Sequence, residues 1–202
     1  MALVTAAEVR AGGLRGLTGT AEDSVLNTLI QRVDGLMASY CGYPAQGGTA
    51  GAATLEDVTY THYLDGPVRS RELRLPVSPV VSVTSIYDDP LMTYGSDELI
   101  DSSNYTLYGA DGLVILTETA NHSWNTARRT IKVTYVAGWE SIPAALKHAT
   151  ILQTVHLFQH RDTIGKSSLS KAGGSASVKS LELLPEVRQA LAPFRLTNSW
   201  VG

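Results

Sequence analysis

The chain has 202 residues, of which 44% are hydrophobic and 17% are charged, and its formal net charge at pH 7 is -3. This length fits one domain or one domain with appendages, and the apolar fraction is sufficient to bury a core. The acidic balance argues against nucleic-acid binding as the main function, because neutralising phosphates requires a clustered surplus of Lys and Arg. The single cysteine, Cys41, excludes an intrachain disulfide and a zinc site built from several thiolates.

Targeting and membrane segments are not predicted. The N-terminal residues lack the basic region and apolar core of a signal peptide. No apolar run approaches the roughly 20 residues that a membrane-spanning helix needs. We therefore expect a soluble protein that is made in a cytoplasm and has no membrane partner.

Two helices are predicted near the N-terminus. Thr5 and Glu8 form a capping-box pattern that begins a short helix, which Gly12-Gly13 ends. A longer amphipathic helix is predicted over 21–40, with Thr20 as its cap and Gly42 as its stop. Its predicted core face consists of the apolar residues Val25, Leu26, Leu29, Ile30, Val33, Leu36, Met37 and Tyr40.

A small antiparallel β-region is predicted over about 58–136, between the two long helices. Its six strands are predicted at 58–64, 73–75, 80–87, 105–108, 113–116 and 130–136, with turn residues between them. The GADG sequence at 109–112 makes the fourth and fifth strands the best hairpin candidate. The last strand alternates Ile131, Val133 and Tyr135 with polar residues, which is typical of a half-buried strand.

The second long helix, over 143–161, is predicted to begin at Pro143 with Ser141 as its cap. Its apolar side chains spread around most of the helical wheel, which indicates burial on most sides. Either the β-region or another chain could cover them. We expect subunit packing to cover the set Leu146, Ile151, Leu152, Val155 and Phe158.

The fold class predicted from these elements is α+β, a small bundle of two long and two short helices with an inserted antiparallel β-region. Residues 1–161 form the helical core with its insertion, and 162–180 form a flexible loop that either orders between subunits or stays mobile. Residues 181–202 contain a last short helix beginning near Pro185, followed by an extended tail. The tail contains aromatic residues and could bind a partner or fold back onto its own domain.

Catalytic motifs are weak in this sequence. His156 and His160 share one helical face, and His148 lies two turns before His156, which leaves a metal-dependent hydrolase as an alternative function. Leu157 stands where a zinc protease would have its general base. The acidic pairs lie in predicted turns, where aspartate accepts backbone hydrogen bonds. We therefore expect neither an enzyme nor a cofactor.

The order of elements and several short motifs resemble the head–tail connector proteins of tailed bacteriophages and gene transfer agents, also called adaptor or head-completion proteins. The matching motifs are YCGY at 40–43, YLDG at 63–66, LRLPVSPV at 73–80, VVSVTSIY at 80–87, VTYVAGWESIP at 133–143 and LAPFR at 191–195. Together they span nearly the whole chain.

The resemblance implies a virion protein that forms a ring, expected to be a dodecamer, below the portal protein. Such a ring extends the DNA channel without sequence-specific DNA binding, and it docks a head-closure (stopper) or tail protein. The resemblance places Phe194, Arg195, Leu196 and Trp200 against the portal. A neck stopper or tail-completion protein is the alternative within virion structure.

Overall fold

The structure, a computed structural model, describes residues 3–14, 16–17, 19–45, 53–161, 169–171, 174–176 and 182–196. The predicted α+β fold is confirmed, and the main β-region lies between the two long helices in the order of the sequence. The helices are α1 (Ala6–Gly13), α2 (Asp23–Cys41), α3 (Ala144–Gln159) and α4 (Pro185–Leu191). The strands are β1 (Val58–Leu64), β2 (Glu72–Arg74), β3 (Val80–Asp88), β4 (Tyr105–Tyr108), β5 (Leu113–Leu116), β6 (Ile131–Ala137), β7 (Leu169–Lys171) and β8 (Gly174–Ala176).

The chain divides into two compact units. The helical unit contains α1 to α4 and the β7–β8 hairpin, and the β unit contains β1 to β6. The β7–β8 hairpin lies inside the segment 162–180, for which no regular structure was predicted, because strands of three residues are too short to show a periodicity. Residues 162–168, 172–173 and 177–181 lie outside the described residues, so the prediction of a flexible loop stays a prediction there.

The helix ends confirm two predicted signals and correct two others. Thr5 Oγ1 accepts a hydrogen bond from Glu8 N, and Glu8 Oε2 accepts one from Thr5 N, which completes the predicted capping box. Gly42 ends α2 with a φ of 85°, a left-handed conformation that glycine adopts without strain. The predicted caps Thr20 and Ser141 are wrong. Glu22 and Pro143 occupy the two cap positions without a side-chain hydrogen bond, and each predicted hydroxyl lies two residues too early.

The buried face of α2 is rotated from the predicted one. Val25 is 39% exposed, and Leu36 and Tyr40 are only half-buried. Asp34 is buried instead and accepts a hydrogen bond from Leu3 N at 3.2 Å, because the N-terminal residues pack on that side of the helix. Cys41 is buried at the end of α2, and burial raises the pKa of its thiol to about 11.

Helices α1, α2 and α4 all pack against α3. The contact between α1 and α3 is very close, because a Cβ on Gly13 would lie 2.5 Å from Val155 Cγ2 and one on Gly12 would lie 2.9 Å from Ile151 Cγ2. A salt bridge of 3.2 Å between Lys147 Nζ and Glu8 Oε1 joins the same two helices at the surface. The two glycines therefore set the distance between α1 and α3.

The β unit contains two antiparallel sheets, ordered β1-β6-β3 and β2-β5-β4. The predicted hairpin is confirmed, with Tyr105 opposite Leu116 and Tyr108 opposite Leu113. Strand β6 is central in its sheet and shows the predicted alternation, since Ile131, Val133 and Tyr135 are all buried. One sheet face is therefore core, as the period of two in the sequence indicates.

A hydrogen-bonded chain of three groups lies in the core of the β unit. Tyr135 Oη accepts a hydrogen bond from Val77 N at 3.2 Å and lies 3.1 Å from His62 Nδ1. The direction of the bond between Tyr135 Oη and His62 Nδ1 is set by the histidine tautomer. Burial lowers the pKa of His62, which favours the neutral imidazole at this position.

We predict that substitution of Gly13 by alanine destabilises the helical unit by about 1–3 kcal/mol, because the new methyl group overlaps the stiff side chain of Val155. The matched control is Gly35→Ala, since Gly35 lies inside α2 with no atom within 4 Å of a built Cβ. That control should stabilise the protein by about 0.5–1 kcal/mol. Urea unfolding followed by circular dichroism measures both variants. Equal midpoints for the two would contradict the close packing.

We also predict that the free energy of unfolding decreases as the pH falls below 6.5, the ordinary pKa of histidine. His62 has a lowered pKa in the folded state, so below pH 6.5 the unfolded chain binds the proton more readily than the folded chain does. The substitution His62→Gln should remove this part of the pH dependence, whereas His148→Gln at an exposed site should retain it. The slope of unfolding free energy between pH 7 and about pH 5 is the measurement. An unchanged slope in the His62 variant would contradict a lowered pKa of His62 in the folded state.

Candidate partner-binding surfaces

The buried side-chain amide of one α3 residue holds the start of the C-terminal segment, whose described residues are 182–196. Gln153 is fully buried in the middle of α3. Its Oε1 accepts a hydrogen bond from Leu184 N at 2.9 Å, and its Nε2 donates one to Glu182 O at 3.3 Å. Both ends of the side chain are therefore satisfied by the backbone immediately before α4, which places the start of that helix.

Helix α4 and the turn after it lie against the end of α2. Val187 and Leu191 are fully buried, and Cys41 Sγ lies 4.0 Å from Leu191 O. A 3₁₀ turn over Ala192–Phe194 follows. The guanidinium group of Arg195 then lies 5.3 Å from the centre of the Tyr40 ring, within the range of a cation–π contact.

The residues that the resemblance places against the portal begin at the end of this packed segment. Phe194 and Leu196 are half-buried and Arg195 is exposed. Trp200 lies outside the described residues. The contact of Arg195 with Tyr40 shows that the chain packs on its own helical unit as far as residue 195. The role of these four residues in portal binding stays a prediction.

Helix α3 has one side that the described residues of the same chain do not cover. Of the five residues predicted to pack between subunits, Leu146 and Phe158 are buried within the chain, and Ile151 and Val155 are half-buried beside α1. Leu152 is 38% exposed. Ala145 and His148 are also exposed, so these three residues form an open strip along the helix.

The three histidines of α3 do not form a metal site in the structure. The rings of His156 and His160 have centroids 4.5 Å apart, but His160 Nδ1 lies 2.9 Å from His156 O, a contact within the helix. Burial and the nearby charge of His160 lower the pKa of His156. Among the described residues, no group of three His, Cys, Asp or Glu side chains could hold a metal ion.

Sequence reasoning missed both Gln153 and Tyr40 as attachment points for the C-terminal segment. The only available signal for Gln153 was a lone amide in an otherwise apolar part of the helix. Its backbone partners are 29 and 31 residues away, so no local pattern identifies them.

No helix in the described part of the chain has the length and hydropathy needed to span a membrane.

Comparison with known proteins identifies the family. A family model described as head completion protein matches residues 2–197. The chain belongs to the head completion protein family. A search of curated protein sequences finds no match.

Three solved structures resemble this head completion protein in fold. One is a chain from the neck of an empty gene transfer agent particle computed with C6 symmetry, with a TM-score of 0.58 and 16% identity over 98% of this chain and 91% of the other. The second, from the virion of a native gene transfer agent particle, has a TM-score of 0.58 and 18% identity over 99% and 93%. The third, from the neck of a native particle computed with C12 symmetry, has a TM-score of 0.50 and 16% identity over 98% and 96%.

We predict that substitution of Gln153 by methionine loosens the start of α4, because Leu184 N and Glu182 O lose their partner. A buried unsatisfied polar group costs about 1–3 kcal/mol, so amide exchange in residues 184–191 should accelerate by about tenfold or more. Gln159→Met, at the exposed end of the same helix, is the control. Hydrogen exchange followed by mass spectrometry measures both variants. Equal protection in both would show that the amide does not fix this segment.

Proposed function

We propose that this head completion protein is a structural head–tail adaptor in the neck of a phage-like particle. In this proposal it forms a ring below the portal, extends the DNA channel and docks the head-closure or tail proteins. The observation that carries the proposal is the family match over residues 2–197. The fold supports it, since the similar chains come from necks and a virion of gene transfer agents.

A ring of identical subunits is supported by the cyclic symmetry of two of these particles. Their necks were computed with C6 and C12 symmetry, and we propose a dodecamer for this chain. Contact between subunits would then bury the open strip of α3 defined by Ala145, His148 and Leu152. Of the residues first expected to pack between subunits, Leu152 has the most side chain available for this contact. Leu146 has none, because it is fully buried in its own chain.

The C-terminal segment is the proposed portal anchor. Its base is held by Gln153, Leu191 and the Arg195–Tyr40 contact, so the segment is fixed on the helical unit as far as residue 195. Phe194, Arg195, Leu196 and Trp200 offer aromatic, cationic and apolar groups, which are enriched at the centres of protein interfaces.

The proposed role is assembly rather than catalysis. A net charge of -3 fits a channel that DNA passes through without sequence-specific contacts. The protein would be assembled in the host cytoplasm and reside in the virion.

A stopper or tail-completion role is the second candidate. It is favoured by the exposed apolar side chains of Val68, Leu91 and Met92, which would make the β unit an interface. Cross-linking in assembled particles separates the two roles, because the adaptor contacts the portal directly.

We predict that deletion of residues 194–202 leaves a folded protein that no longer co-sediments with portal rings. Within the anchor, Arg195→Ala should weaken portal binding by about tenfold, which corresponds to roughly 1.4 kcal/mol. Arg188→Ala is the matched control, because Arg188 pairs with Glu182 on the exposed side of α4. Undiminished binding by the truncated protein would refute the anchor.

We predict that Leu152→Asp impairs ring formation with little effect on the folding of one chain. The side chain is already partly in water, but a carboxylate in a subunit interface would have to lose its hydration. Leu91→Asp, on the β unit and 80% exposed, is the control. Electron microscopy of rings assembled on the portal measures the outcome. Normal rings with the Leu152 variant would remove this strip of α3 from the interface.

A further inference from the structure

An acidic cavity of about 250 Å³ lies beside the end of β3 in the β unit. Four carboxylates line it, from Asp88, Asp97, Glu98 and Asp101, together with the amides of Asn104 and Asn121 and the imidazole of His122. Its lining includes no lysine or arginine from the described part of the chain. A concave site with this lining has a strongly negative potential and attracts a cation.

One of these carboxylates is buried with half of its hydrogen-bonding capacity unused. Asp88 is 4% exposed, and its Oδ2 is 2.9 Å from both Asn125 N and His122 Nε2. Its Oδ1 is buried and has no hydrogen-bond partner among the described residues. A buried polar atom without a partner is rare because it loses its hydration without compensation. Asp88 therefore lines the cavity with a carboxylate whose buried Oδ1 has no donor among the described residues.

A second carboxylate of the cavity is held in its charged form. Asp101 Oδ1 accepts hydrogen bonds from Ser103 Oγ at 2.7 Å and Ser103 N at 2.8 Å. These bonds lower the pKa of Asp101, so the carboxylate is ionised at neutral pH. Its other oxygen, Oδ2, remains available to a ligand.

The arrangement of the carboxylates distinguishes between kinds of cation. A calcium ion needs several oxygen ligands at about 2.3–2.6 Å from a single point. No three acidic or histidine side chains among the described residues converge in that way. A guanidinium group is planar, carries five N–H donors and can bind separated carboxylates at the same time. The distributed charges therefore fit an extended donor better than a metal ion.

We infer that this cavity binds the guanidinium group of an arginine presented by a second copy of this chain. The chain itself contains suitable donors. Arg69, Arg74 and Arg128 are exposed on the β unit, and none of their side chains has an ion pair or hydrogen bond with another described residue. The preferred donor is Arg69, which has a φ of 54° and lies beside Val68, whose side chain is 73% exposed. A non-glycine residue in the left-handed region costs free energy, and such conformations cluster at functional sites.

A ring provides the geometry for this contact. In a cyclic ring each subunit presents one surface to the neighbour on one side and a different surface to the neighbour on the other. An arginine on one surface and an acidic cavity on the other can therefore repeat around the whole ring. The identity of the donor chain rests on the proposed ring, but the affinity of the cavity for guanidinium does not.

The first test measures the cavity in the isolated full-length chain. Titration with N-acetylarginine amide should produce saturable NMR shifts at the backbone amides of Asn121, His122 and Asn125, and the neutral citrulline analogue should not. Glu98→Gln combined with Asp97→Asn should weaken binding by about tenfold, whereas Glu118→Gln, exposed and outside the cavity, should not. Equal shifts with citrulline, unchanged affinity in the double variant, or preferential binding of calcium chloride would each overturn the inference.

The second test identifies the donor by disulfide trapping in rings assembled on the portal. A mixture of Glu98→Cys and Arg69→Cys chains should yield covalent dimers under mild oxidation, whereas Glu118→Cys with Arg69→Cys should not. Cys41 is buried and should not contribute. Rings without cross-links from Arg69→Cys, and likewise from Arg74→Cys and Arg128→Cys, would refute the second-copy donor and leave the proposed function intact. Failure to form any ring with wild-type chains would contradict the proposed function and, with it, the second-copy donor.

Discussion

The packing of three helices on α3 is the constraint on which the helical unit depends. Gly12 and Gly13 let α1 approach the β-branched side chains of α3, and Gln153 satisfies the backbone just before α4 from inside the same helix. A leucine at position 153 could fill a similar volume, but it could not accept from one backbone group and donate to another. The position of the C-terminal segment therefore depends on a buried amide whose polar atoms both have partners.

The β unit combines a stable core with polar loops. Its sheets bury the alternate residues of β6, and the hydroxyl of Tyr135 links the imidazole of His62 to the backbone at Val77. At the end of β3, Asp89 accepts hydrogen bonds from three backbone groups and the Thr93 hydroxyl, which lower its pKa to about 2. The preceding residue, Asp88, lines the acidic cavity, and its buried Oδ1 has no hydrogen-bond partner among the described residues. Adjacent aspartates thus have different roles, one within a turn and the other at a surface suited to a cationic ligand.

The features that stand out in this protein are surfaces rather than reactive groups. The histidines of α3 do not converge on a metal site within the described residues, and the buried thiol of Cys41 has a raised pKa that disfavours the reactive thiolate. The open strip on α3, the C-terminal segment and the acidic cavity instead offer three separate contact areas. In the proposed ring a subunit needs several such areas, since it must contact its neighbours and also bind the proteins above and below the ring.

The sequence by itself determined the four helices and strands β1 to β6 in their order, but not the β7–β8 hairpin. Period-two alternation located β1 and β6, the GADG turn located the β4–β5 hairpin, and Thr5, Glu8 and Gly42 marked helix ends. These signals are local, because they depend on side chains within a few residues of one another. Only the tertiary structure decided which face of α2 is buried, because Leu3 and Leu191 reach it from distant parts of the chain. The tertiary structure also decided the hydrogen-bond partners of Gln153, the full burial of Leu146 and the cavity beside Asp88. Each of these depends on residues that only folding brings together.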